Sequence, residues 1–172
     1  MKELRLRIWE DLYDAKKAEE FLSLYLANKR KWKNGYSIII ASASILGPIA
    51  TFFQDQYDIL KYSPITACII ILFAQLIDKA LPSLLIDDFT ISKLSEYRIK
   101  YVQYYEKLDR LWSEFDTDRI TEDEAFERFF ELKEYNIQLQ ELDNSILING
   151  NNNLYEKANN RADLYMNKHF EI

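Results

Sequence analysis

Two stretches of this chain carry no charge, SIIIASASILGPIATFF from Ser37 to Phe53 and SPITACIIILFAQLI from Ser63 to Ile77, with the polar segment QDQYDILKYS between them. A helix needs about 20 apolar residues to span a hydrocarbon layer roughly 30 Å thick. The first run sits at the lower end of that range. The second meets Asp78 and Lys79 before resuming from Ala80 to Ile86, so that pair would have to lie at an interface or inside a bundle. The expected fold class is an all-α membrane protein, a two-helix transmembrane hairpin with a cytoplasmic helical bundle or coiled-coil stalk. Two buried helices of an ordinary helical core are the alternative.

Only three glycines and three prolines interrupt the 172 residues, while twelve tyrosines and ten phenylalanines supply wide apolar side chains, a balance that favours helices over turns. The net charge of −6 argues against nucleic-acid binding, which needs clustered Lys and Arg to replace counterions around phosphates. Cys68, the single cysteine, lies within the second apolar run, and His169, the single histidine, has no Asp, Cys or second His at ligand spacing. No metal, cofactor or disulfide is expected. Nor is a cleaved leader, since the first apolar run follows about 35 residues of charged sequence.

Leu12, Ala15, Ala18, Leu22 and Tyr25 recur three and four apart, predicting an amphipathic N-terminal helix from Leu4 to Trp32. It ends in KRKWKNGY, where Lys29, Arg30, Lys31 and Lys33 form a basic collar, Trp32 and Tyr36 are interfacial aromatics, and Asn34-Gly35 offers a break. The expected organisation is 1–35 N-terminal helix and collar, 36–86 hairpin, 87–172 a cytoplasmic helical hairpin with a C-terminal helix. Lys93, Arg98 and Lys100 follow the second run, and by the positive-inside rule both termini are expected on the cytoplasmic side of a bacterial inner membrane, as a multi-pass protein.

Beyond the hairpin, Leu94, Tyr97, Tyr101, Tyr104, Leu108, Leu111 and Phe115 make a heptad seam, a candidate for oligomerisation. Its aromatic character suits an antiparallel partner helix or a wider bundle. Thr121 and Glu124 have capping-box spacing, so a second helix should begin there, carrying Leu132, Tyr135, Leu139, Leu142 and Ile146 and stopping before Asn149–Asn153. A third should pack through Tyr155, Ala158, Ala162 and Tyr165.

FDTDRITEDEAF, from Phe115 to Phe126, has the alternating aspartates of a calcium loop without its glycine or its length, and reads as a helix connection whose acids favour the next helix N-terminus. Paired carboxylates such as Asp87-Asp88 lack a nucleophile or phosphate loop beside them, so no enzyme is expected. In the first apolar run Ala43, Gly47 and Thr51 form a small-xxx-small series, and Ser37, Ala41, Ser44, Pro48 and Thr51 a mildly polar face. In the second, Gln75, Asp78 and Pro82 share a face, with Lys79 adjacent. These are the candidate pore-lining or helix-packing residues. A freed carbonyl before Pro48 should kink the first helix.

The amphipathic helix, the collar at KRKWKNGY, the small-residue hairpin and the long helical hairpin after it together resemble the SLATT domain, a two-transmembrane effector module of bacterial conflict systems. The resemblance implies a homo-oligomeric effector that perturbs or permeabilises the inner membrane in antiphage or abortive-infection defence, with the lipid bilayer as a partner and a separate nucleotide-sensing or signal-producing protein as its trigger. It supplies no catalytic residues. The competing expectation is a membrane-anchored helical adaptor or scaffold with no conducting pathway.

Overall fold

The computed structural model describes residues 2–53, 62–80, 87–145 and 152–170, with the side chains of some positions inside these ranges left undescribed. Among the described residues the only regular elements are helices: α1 (Lys2–Phe53), α2 (Ser63–Ala80), α3 (Asp88–Asp116), α4 (Glu122–Ser145) and α5 (Asn152–His169). Contacts divide it into unit 1, Met1–Leu26 with Phe89–Ile172, and unit 2, Ala27–Asp88.

Unit 1 is an antiparallel bundle. The first part of α1 pairs with α3 in opposite directions: Arg5 lies over the Phe115 ring, Trp9 meets Trp112 at 5.4 Å between ring centroids, and Glu19 accepts a hydrogen bond from Arg98. α4 returns antiparallel along α3, with the Tyr97 hydroxyl donating to the Leu139 carbonyl and Arg128 bonded to Glu114 at 2.7 Å. α5 runs along the other side, where Tyr13 donates to Asp163 and Phe21 stacks on Tyr155 at 4.2 Å. Ile8, Leu12, Leu22, Leu94, Tyr104, Leu108, Phe129 and Leu139 fill the core with almost no exposure. Each such aliphatic side chain contributes roughly 1.5–3 kcal/mol when taken out of water.

The expected capping box forms. The Thr121 amide donates to Glu124 Oε2 at 3.0 Å, and the Glu124 amide donates back to Thr121 Oγ1 at 3.3 Å, satisfying two donors at the start of α4. Before it, Asp118 takes a positive φ of 53°, a conformation that aspartate tolerates better than most residues. Asp116 and Asp118 both face Arg5 at 3.6 Å, a salt-bridged corner within the helix connection.

The membrane expectations require correction. Among the described residues, no helix is long and apolar enough to cross a membrane. At about 1.5 Å per residue, Ser37 to Phe53 rises roughly 25 Å and Ser63 to Ile77 roughly 22 Å, both short of the roughly 30 Å layer. The transmembrane hairpin, the multi-pass membrane placement and the assignment of both termini to the cytoplasmic side are therefore not carried forward. The resumption expected after Lys79 falls largely on 81–86, outside the described residues. A second correction concerns the collar: α1 runs unbroken through Asn34 and Gly35, and continues through Pro48. One glycine costs a helix only about 1 kcal/mol, which its neighbours offset.

Candidate functional site

Unit 2 is an inverted hairpin. Its buried side chains, among the described residues, are Ala43 on α1 and Ala67 and Ala74 on α2, while the large apolar ones point outward. Ile38 is 65 % exposed, Leu46 61 %, Leu72 58 % and Phe73 63 %. Small residues between two helices let their backbones approach closely, and the price is that no large side chain has room inside. The Tyr36 hydroxyl donates to the Ala74 carbonyl at 2.8 Å, tying α1 to α2, and Lys33 bonds Asp88 across the hairpin base. Ser44 and Thr66 turn their hydroxyls back onto the carbonyls of Ile40 and Tyr62, so the exterior is more apolar than its composition suggests. Large apolar side chains are thus exposed along both helices of the hairpin.

Of the residues predicted to line a pore or pack helices, Ala43 lies in the alanine seam, whereas Ser37, Ala41, Ser44, Pro48 and Gln75 are exposed. The side chains of Gly47, Thr51, Asp78 and Lys79 lie outside the described residues, as does Pro82. Ala43 was singled out from sequence; Ala67 and Ala74 were not, although their spacing of seven places both on one face of α2.

The predicted seam on α3 is brought together, but inside one protomer. Leu94, Tyr97, Tyr104, Leu108, Leu111 and Phe115 are buried in unit 1 and Tyr101 is half-buried, with its ring edge-on to Tyr97 at 5.1 Å. α1, α4 and α5 occupy the surface that a second copy would otherwise meet. Burial pushes the Tyr104 and Tyr105 hydroxyls above the ordinary tyrosine range, Tyr104 further through Asp11, to which it donates at 3.1 Å, and Tyr105 through Tyr165. Tyr13, bonded to Asp163 at 2.7 Å, is pushed up to about 12, chiefly by that hydrogen bond.

Unit 1 also buries an ion cluster that periodicity alone does not announce. Lys16 donates to Glu19 at 2.7 Å, both about nine-tenths buried; Glu19 also accepts from Arg98 at 3.2 Å, and Lys16 sits 4.1 Å over the Tyr165 ring. Glu20 extends the cluster to Arg161 at 3.5 Å. The sequence did carry a signal: position 19 falls on the line Leu12, Ala15, Leu22, Leu26 that otherwise holds apolar residues. Three cations, Lys16, Arg98 and Arg161, share two carboxylates, Glu19 and Glu20, each carboxylate taking more than one partner, and the cluster reads as structural.

Of the four concavities described in unit 1, two are distinctly larger than the others. One, about 620 Å³, has Trp9, Trp112 and Phe170 as walls, with Lys2, Arg5 and His169 opposite Asp116; Arg5 is already held by Asp116 and Asp118. The other, about 440 Å³, lies between α1 and α4 and includes Phe130 and Ile137. It adjoins an exposed stripe on α4 that the sequence reading missed, because Phe126, Phe130 and Ile137 lie on a different face of the helix from Leu132, Tyr135 and Leu139. Among the described residues no group of His, Cys, Asp or Glu is arranged to hold a metal ion. Compared with known protein families, curated proteins and solved structures, the chain matches none.

Proposed function

We propose that this chain is a non-enzymatic helical scaffold that self-associates through unit 2, leaving unit 1 to engage other proteins. The observation that carries this reading is the inversion of the hairpin, alanines inside and isoleucine, leucine and phenylalanine outside. Each of these side chains, about half exposed, leaves on the order of 1 kcal/mol of burial unrealised, and several together exceed what a monomer in water would retain without use. The occupant best matched to such a face is the same face of a second copy. The described outward side chains from Ile38 to Leu46 and from Ile65 to Leu76 are mostly aliphatic and uncharged, so two copies meeting about a twofold axis bury like against like with no ionic partner required. The pore reading depended on membrane spans and is not part of this proposal.

Sedimentation velocity of the full chain over a concentration series tests it, with Ile69→Lys/Leu72→Lys as the paired variant. Wild type should form a concentration-dependent oligomer and the variant a folded monomer, with an unchanged helical circular dichroism spectrum. A monomeric wild type overturns the proposal. So does wild type that floats with phosphatidylcholine–phosphatidylglycerol vesicles and remains monomeric without them, because the apolar face would then be a lipid-binding surface.

A further inference from the structure

The stripe on α4 has a chemistry of its own. Phe126 and Phe130 are each about half exposed, their rings 4.5 Å apart, and Ile137 is 57 % exposed two turns further along. Spacings of four and seven residues place all three on one side of the helix. That side is turned away from the buried face of Ala125, Phe129 and Leu139, so core packing does not account for it. Phe130 and Ile137 also line the 440 Å³ groove against α1, giving the stripe depth as well as length.

Charge decides what fits there. The two cations bordering the groove are engaged within the molecule: Lys133 donates to Asp11 at 2.6 Å, and Arg7 to Glu3 at 2.7 Å. Glu10 across the groove, and Glu127 and Glu134 flanking the stripe, are exposed acids. An apolar stripe with an acidic border complements a helix with the same apolar spacing and a basic border, in which side chains at i, i+4 and i+11 fill the stripe while Lys or Arg meet the glutamates.

We propose that the α1–α4 groove of unit 1 is a docking site for a basic amphipathic helix of a partner protein, with Phe126, Phe130 and Ile137 as apolar anchors and Glu10, Glu127 and Glu134 selecting the charge. This surface lies in unit 1, and its test does not depend on self-association through unit 2.

The test is fluorescence anisotropy of the full chain with a labelled Leu/Lys helical peptide of about 20 residues, Leu at i, i+4 and i+11, beside a Leu/Glu peptide of the same pattern. The Lys peptide should bind and the Glu peptide bind at least about tenfold more weakly. Phe130→Ala should weaken the Lys peptide about tenfold or more, since aromatic anchors dominate such contacts. Glu127→Lys/Glu134→Lys, which replaces two exposed residues, should do so while leaving the melting curve in place. Ile69→Lys, in unit 2, should leave affinity unchanged. Equal binding of the two peptides overturns the proposal, as does loss of binding in Ile69→Lys with retention in Phe130→Ala. A wild-type oligomer that Phe130→Asp alone converts to monomer overturns it too, since a second copy would then be the occupant.

Discussion

Removing Lys16 alone or Glu19 alone should destabilise unit 1 more than removing both. The two are about nine-tenths buried and bonded at 2.7 Å, so taking away one partner leaves a charge stranded in a poorly solvated place. A buried pair broken in this way costs roughly 3–5 kcal/mol, whereas replacing both partners with apolar residues of similar volume is often neutral or stabilising. The neighbours modify these figures in a predictable order. In Lys16→Met, Glu19 keeps Arg98 at 3.2 Å, which places the loss near the lower end, at about 3 kcal/mol. In Glu19→Leu, Lys16 retains Glu20, at a longer 3.6 Å, and the rings of Tyr165 and Tyr105, so the loss should be larger, at about 4 kcal/mol. Arg98, with a side chain 42 % exposed, can turn to water in that variant. Lys16→Met/Glu19→Leu should return to within about 1.5 kcal/mol of wild type, a coupling well above the 0.5 kcal/mol seen for independent sites. Urea unfolding followed by circular dichroism measures all four proteins, and the two single variants should also melt about 10 °C lower. Single variants costing under about 1 kcal/mol, the range of exposed pairs, would refute the reasoning, as would a double variant less stable than either single one.

Three further outcomes follow from particular contacts. Thr121→Ala removes the oxygen that accepts the Glu124 amide and should cost about 1 kcal/mol in urea unfolding, with Thr121→Ser retaining most of the stability. Leu108→Ala, at a fully buried position on α3, should cost about 2–5 kcal/mol in urea unfolding. Burial raises the Asp109 carboxyl above its ordinary range, partly opposed by His169, so the folded state favours the protonated form; its stabilising effect is complete below the ordinary carboxylate pKa and is lost as pH rises through the raised value. Asp109→Asn should therefore raise the melting temperature at neutral pH, and that gain should shrink on acidification into the carboxylate range.

Sequence alone determined the helical class, the seam from Leu94 to Phe115, the capping box at Thr121 and the packing of Ala158 and Ala162, because each depends on spacing within one helix, which a 3.6-residue turn converts directly into a shared face. It did not determine what those faces meet. The α3 seam is as apolar for an intramolecular partner as for a second copy, and only the return of α1, α4 and α5 around it showed that it is consumed within the protomer. The membrane expectation failed for a related reason: hydropathy reports that a surface is apolar but not which uninterrupted length a single helix presents. The Lys16–Glu19 cluster and the α4 stripe were the converse case. A charged residue on an apolar line and a phenylalanine pair beside a core face are both visible as letters, but whether they are buried or exposed depends on which neighbouring helix covers them, and that was decided by tertiary packing alone.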